Sequence, residues 1–333
     1  MKDIHFYEVF GKEQESLEKH LPSNIKAGFD YDTIQEVIRA SGVKEPPAKI
    51  ISIRTHSEIP KDWLNGDGIS TVISRTTGYD HLEKYKDKVQ CGPLPEYCTR
   101  AVSEQAIMLY MSLARKLPKQ IENFHSFDRN NITGGEVKGK NMLVVGVGKI
   151  GHEICKIAKG LEMEVLGLDV EDKYTDVKYA GLDKGFENAD VIICSMNLTK
   201  DNVNYFDYRT LKRTKPGLIF VNTARGEHTN SVDLLRLIQE KHLGGLGLDV
   251  FNEESLVAEA LRVGKNYNDI ESEEIKATLE LANLALTKKE NIIFTPHNSF
   301  NTKEAVERKS QQTVEQLTHF LETGKLKWKV PDG

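Results

Sequence analysis

The chain has 333 residues, enough for about two domains, and its 39% apolar and 29% charged residues are the balance of an ordinary globular fold. A formal charge of −5 with no Lys/Arg-rich cluster argues against a nucleic-acid or anionic-membrane binder. No apolar run nears the ~20 residues that span a bilayer, and the start, MKDIHFYEVFGKEQ, lacks the basic head and apolar stretch of a signal peptide. Cys91, Cys98, Cys155 and Cys194 form no CxxC pair and have no His at finger spacing. No metal site is therefore expected, and four reduced thiols point to a cytoplasmic protein.

Residues 4–10, 50–53 and 69–74 read as strands, short, β-branched-rich and bounded by polar turns, while 12–21 and 33–40 read as helices. This alternation predicts a parallel sheet faced by helices. The stretch 101–117, AVSEQAIMLYMSLARKL, is apolar on nearly every side, which predicts a helix buried all round, between domains or at a subunit interface. The polar stretch 123–140 reads as a linker. A second βα series follows, with strands expected at 142–146, 164–169, 191–195, 218–222, 246–250 and 292–295 and helices at 149–161, 205–213 and 231–242. Six strands with right-handed crossovers make a doubly wound sheet. Residues 252–290 interrupt it with a helical insertion in which Ile275, Leu279, Ala282 and Leu286 share one face. The last helix, 303–321, has no strand after it and is expected to cross back to the first domain.

The sharpest local signal is Gly146-Val147-Gly148-Lys149-Ile150-Gly151, which ends an expected strand, opens an expected helix and precedes a second strand ending in Asp169. In such a loop Gly146 allows the tight turn, Gly148 lets the backbone approach a pyrophosphate, and Gly151 lets helix and strand pack closely. The helix start at Lys149 and Ile150 turns free N–H groups and a positive dipole end toward the phosphates. Asp169 would accept hydrogen bonds from the adenosine ribose. With Val170, Glu171 and Asp172 after it and no Arg at hand, NAD is favoured over NADP.

Three further strand ends carry chemistry: Asn222-Thr223-Ala224-Arg225-Gly226, Asp249-Val250-Phe251 followed by Glu254, and Thr295-Pro296-His297. Ligands of open α/β sheets sit at this edge, where an Arg, a Glu and a His can converge. Arg225 offers a fixed fork of donors for the carboxylate of a 2-keto acid. His297 is suited to give a proton to the alkoxide that hydride transfer creates, and Glu254 would hold its ring; Glu253 is the alternative one register away.

These motifs, together with Ser74-Arg75-Thr76-Thr77-Gly78-Tyr79-Asp80, resemble the D-isomer-specific 2-hydroxyacid dehydrogenases over nearly the whole chain. The length of the insertion after Phe251 is similar to the D-lactate dehydrogenase branch. The resemblance implies two doubly wound α/β domains, a Rossmann-type NAD domain and a smaller flavodoxin-like substrate domain, with a cleft between them. The substrate domain is expected at 1–100 with 300–333 and the NAD domain at 101–299, in a homodimer. It also implies roles for Thr77 and Gly78 on the substrate carboxylate and for Tyr97 and Phe300 in the substrate pocket. Thr199, Thr223 and Asp249 are implied as cofactor contacts. Arg54 stands where family members that handle a second anionic group carry a Val-Arg-Ser segment. Three departures stand out. Tyr97-Cys98-Thr99-Arg100 replaces the commoner Tyr-Ser-Pro-Asn, Asn298-Ser299 follows His297, and Glu227-His228 follows Gly226 where apolar residues are usual. The competing readings are a phosphite dehydrogenase, which carries a Lys where this chain has Thr77, and an NAD-sensing scaffold like the C-terminal-binding-protein co-repressors.

Overall fold

A computed structural model describes residues 2–264, 270–288 and 290–331. The chain divides into two compact units, Met1–Cys98 with Asn301–Gly333, and Thr99–Phe300.

The first unit holds β1 (Ile4–Phe6), α1 (Gly11–His20), β2 (Ala27–Phe29), α2 (Ile34–Ser41), β3 (Ile50–Ile53), β4 (Thr71–Ser74) and β5 (Gln90–Gly92). All five strands are parallel, in the order β2-β1-β3-β4-β5. Every residue of β3 and β4 is buried, as strands covered on both faces must be. Thr33 caps α2 in a capping box with Glu36, and Gly42, at φ +69°, ends it. The first strand is shorter than expected because the chain turns at Glu8, φ +55°, whose carboxylate accepts the N–H groups of Arg54, His56 and Ser57. The segments β2 and β5 were not anticipated. Each is three residues with a glycine, too short to show a period.

The second unit runs α3 (Thr99–Ala114), α4 (Leu117–Asn123), β6 (Asn141–Val145), α5 (Lys149–Gly160), β7 (Glu164–Leu168), β8 (Lys178–Tyr179), α6 (Leu182–Asn188) and β9 (Val191–Cys194). It continues through α7 (Tyr208–Lys212), β10 (Leu218–Asn222), α8 (Ser231–Gln239), β11 (Leu243–Leu248), α9 (Glu254–Val263), α10 (Glu273–Leu286) and β12 (Ile292–Phe294). The chain then returns to the first unit as α11 (Lys303–Thr323), packed on α1.

The second sheet is parallel, in the order β12-β11-β10-β9-β6-β7-β8. Among the described residues it has seven strands rather than six, the edge strand β8 being only two residues long. The order reverses between β6 and β9, so a crevice opens beyond their carboxyl ends. Alternate residues feed the two faces. Leu143, Ile192, Phe220 and Leu246 pack toward α8 and α10, while Val144, Val191, Ile193 and Val221 pack toward α3 and α5.

In the single chain the helix α3 packs one face on α5, β10 and β11, burying Ala106, Leu109, Tyr110 and Leu113, while Met108 and Met111 on its other side are exposed. It also ends at Ala114, because Lys116 takes up φ +53° and Pro118 opens α4. Among the described residues no helix is long and apolar enough to cross a membrane.

Candidate active site

At the switch point, Gly146 adopts φ +90°, and a Cβ there would lie 2.5 Å from the Met196 nitrogen. A Cβ on Gly151 would lie 2.1 Å from the Gly146 carbonyl, so the start of α5 presses on the loop as closely as backbone allows. The Ser195 hydroxyl donates to that same carbonyl at 2.6 Å. Beside Gly148, by contrast, a Cβ would meet nothing within 4 Å, and this N-cap residue, a glycine, offers no side-chain cap to α5. An uncapped helix start next to open space is what a pyrophosphate requires. Asp169 follows β7, and its carboxylate accepts the Val147 N–H of the glycine loop and the Val170 N–H. It thus braces the loop while keeping acceptor capacity for ribose hydroxyls. Thr223, one residue past β10, is buried, and its hydroxyl has no hydrogen-bond partner among the described residues. An orphaned polar atom there fits a bound group. Thr199 is exposed and begins a turn in which its N–H donates to Asn202 Oδ1 at 2.8 Å. The residues present fit NAD.

Arg225 follows β10, where a fully buried Asn222 shapes the chain. Its amide donates to the Arg225 carbonyl at 2.8 Å, and its Oδ1 accepts the Ala224 N–H at 3.0 Å. The half-buried guanidinium donates to the Ala224 carbonyl at 2.9 Å. Asn222 was legible as part of a motif but not as the residue that shapes the turn. The signal was a short amide side chain at a strand end, which commonly bonds backbone two or three residues on.

Glu254 opens α9, and His297 follows β12. The imidazole Nδ1 lies 2.9 and 3.1 Å from the two Glu254 oxygens, and both side chains are about three-quarters buried. Glu253 accepts instead from the Ser272 hydroxyl at 3.0 Å, so Glu254 is the carboxylate that faces His297. Both turns use left-handed backbone, φ +52° at Glu253 and φ +48° at His297, a strained choice for residues with side chains. Asp249 holds the His297 turn. Fully buried after β11, it accepts the Thr295 hydroxyl and the N–H groups of Asn298 and Ser299, each at 2.9 Å for the two amides. Its carbonyl accepts the His297 N–H at 2.8 Å.

In the first unit, Thr77 and Gly78 follow β4. The Thr76 hydroxyl donates to the Gly78 carbonyl at 2.7 Å, and the Thr77 hydroxyl is 3.5 Å from Cys98 Sγ. Tyr97 is buried, which pushes its phenol well above the ordinary value, and its carbonyl accepts from Arg308 Nε at 2.9 Å. Arg54 follows β3, which pairs with β4 through Ile53 and Ser74, and its guanidinium lies 5.9 Å from the Phe10 ring centre. Phe300 is buried at the end of the second unit.

Behind these loops lies a charged cluster that the sequence did not disclose. Arg75 and Lys309, both fully buried, reach the same oxygen of the fully buried Glu13, at 3.0 and 2.6 Å. Burial opposes the Glu13 charge, but Arg75, Lys309 and Arg54 outweigh it and hold the carboxyl down to about 2. Glu13 and Lys309 sit on helices with many charged residues, and such residues ordinarily face water.

A glycine loop at the switch point of a doubly wound parallel sheet, with Arg, Glu and His at neighbouring strand ends, defines a dinucleotide-dependent enzyme. The model of the family "D-isomer specific 2-hydroxyacid dehydrogenase, NAD binding domain" matches residues 107–299. The D-lactate dehydrogenase of Escherichia coli (strain K12) is 28% identical over 271 residues, 78% of each chain. The aromatic 2-oxoacid reductase of Clostridium sporogenes (strain ATCC 15579) is 27% identical over 263 residues, 76% of each chain. The crystal structure of D-lactate dehydrogenase from Aquifex aeolicus, complexed with NAD and lactic acid, superposes with a TM-score of 0.82 at 23% identity, covering 99% of this chain and 100% of that one. The chain belongs to the D-isomer specific 2-hydroxyacid dehydrogenase family, as an NAD-dependent oxidoreductase.

Proposed function

We propose that the chain reduces a small 2-keto acid to the D-2-hydroxy acid, reversibly, with Arg225, Glu254 and His297 as its catalytic residues. The observation that carries this reading is the Glu254–His297 pair beside the Arg225 turn, on three adjacent parallel strands. Neighbouring strands lie about 4.8 Å apart, so the three side chains start within reach of one small molecule.

Bound NADH supplies the hydride. Arg225 holds the substrate carboxylate in its fork and draws charge from the neighbouring carbonyl. With Nδ1 engaged by Glu254, His297 delivers its proton from Nε2 to the oxygen that gains the charge. Glu254 fixes the ring and balances the imidazolium, and Asp249 positions the turn from beneath. Gly146, Gly148, Lys149, Ile150 and Gly151 cradle the pyrophosphate, Asp169 takes the ribose, and Thr199 and Thr223 complete the coenzyme contacts.

The first unit, with 301–333, serves as the substrate domain. The Thr77 and Gly78 amides hold the carboxylate, and Tyr97 and Phe300 line the pocket. The position of Arg54 after β3, next to the strand that leads into Thr77, supports a substrate with a second anionic group. The exposed Met108, Met111, Ile121, Phe124 and Phe127, all on or just after α3 and α4, support a homodimer joined through this unit. The four buried free thiols support a cytoplasmic location.

The test is NADH oxidation with pyruvate, phenylpyruvate, oxaloacetate and 2-ketoglutarate, followed by chiral analysis of the product. D-hydroxy acid is expected. An L-product, or tight NADH binding with no turnover on any 2-keto acid, would overturn the reading, and the second outcome would favour a sensing scaffold.

A further inference from the structure

His228, in the turn that follows Arg225 and Gly226, is fully buried. Its Nδ1 lies 3.2 Å from the Asn202 carbonyl and its Nε2 3.3 Å from the Met196 carbonyl. Both partners are carbonyl oxygens, which only accept. A neutral imidazole carries one N–H, so it satisfies one carbonyl and turns a lone pair on the other, whereas an imidazolium donates to both. The two carbonyls bracket residues 196–202, the stretch that leaves β9 and contains Thr199. At its near end, Met196 abuts Gly146 of the glycine loop. Further bonds stitch the same segments together: the Asn204 N–H donates to the Glu227 carbonyl at 2.8 Å and the Phe206 N–H to the His228 carbonyl at 3.0 Å.

We propose that His228 is a positioning residue, whose doubly protonated ring clamps the 196–202 loop to the Arg225 turn and so tightens coenzyme binding. The inference rests on the reading of that loop as a coenzyme contact. It explains a polar residue at a position where the resemblance leads one to expect an apolar one. Burial, the largest influence, lowers the ring below its ordinary 6.5. The two carbonyls and Glu227 act in its favour, and Arg225 acts against it. The ring is therefore mostly neutral at pH 7 and takes up its second proton as pH falls. Linkage makes the effect reciprocal: coenzyme binding draws a proton onto the ring.

The test measures the NADH dissociation constant of the full chain by fluorescence titration from pH 7.5 to 5.5, in wild type, His228→Leu and His228→Gln. Wild type should bind progressively more tightly as pH falls, by up to about fivefold where the ring is fully protonated, the worth of one added hydrogen bond. Both variants should lose that tightening, since Leu fills the space without donors and Gln does not titrate. Other histidines are common to all three proteins and cancel in the comparison. A wild-type pH dependence shared by the variants would overturn the clamp. Absence of NADH binding at every pH would instead overturn the coenzyme reading beneath it.

Discussion

Glu254 and His297 leave adjacent parallel strands and meet with His297 Nδ1 2.9 Å from the carboxylate, each delivered by a left-handed turn of backbone. Strain of this kind costs about 1–3 kcal/mol per residue and persists where surrounding bonds impose it. Here the bonds are those of Asp249 to the His297 turn. Glu254→Gln keeps the size and one acceptor but loses the charge. It should lower kcat for keto-acid reduction by roughly 10- to 100-fold, at or below the low end of the 10²–10⁴-fold that a general acid–base group contributes because His297 itself remains, with the NADH dissociation constant unchanged. Stopped-flow measurement of NADH oxidation, beside a binding titration, separates the two.

Asp169 braces the glycine loop through Val147 and, in the function proposed above, also takes the ribose. Asp169→Ala should therefore weaken NADH by roughly 30-fold, the sum of a lost loop bond and a lost ligand bond at about 1 kcal/mol each. Val170 is fully exposed, so Val170→Arg adds a cation without disturbing the core. The double variant should shift the ratio of kcat/KM toward NADPH. A double variant that keeps the wild-type ratio would remove Asp169 from the ribose site.

Glu13 is the keystone of the buried charge cluster in the first unit. Its carboxyl is held at about 2 against 4.5 for the ordinary group, so its contribution is present above pH 4.5 and lost as pH falls toward 2. Glu13→Gln leaves Arg75 and Lys309 buried without their shared anion and should cost about 3–5 kcal/mol at pH 7. Lys309→Met should cost less, because Glu13 keeps Arg75. Urea unfolding of the three proteins at pH 7 and pH 3 checks both the order and the flatter acid limb of the Glu13 variant.

Arg54 sets the expected substrate order. If its guanidinium recognises a distal anion, oxaloacetate or 2-ketoglutarate should exceed pyruvate in kcat/KM. Arg54→Met should then reverse the order, costing the dianion about 10- to 100-fold, the 1.5–3 kcal/mol of a hydrogen bond to a charged group. Equal effects of Arg54→Met on mono- and dianionic acids would leave a plain monocarboxylate pocket.

Much of the second unit was legible because its strands are apolar, glycine-punctuated and long enough to show a period, and because Gly146, Arg225, Glu254 and His297 each follow one. What escaped was either too short or not local. The strand β8 is two residues, and α6 carries a glycine in its middle. The outward face of α3 could not be told from its inward one, since Met108 and Leu109 are alike in composition and differ only in what lies beside them. Asp249 was expected as a cofactor contact, but its three bonds to residues more than forty positions later exist only in the fold. The Glu13–Arg75–Lys309 cluster likewise joins three distant segments, and each of its members alone reads as solvent-facing.

The most direct test of the proposed mechanism is the turnover of His297→Ala. Reduction of the best 2-keto acid should fall by roughly 10²–10⁴-fold in kcat, while NADH binds as in wild type, because the change removes the proton donor and leaves the nucleotide site untouched. A His297→Ala protein that reduces the keto acid at the wild-type rate would contradict the account.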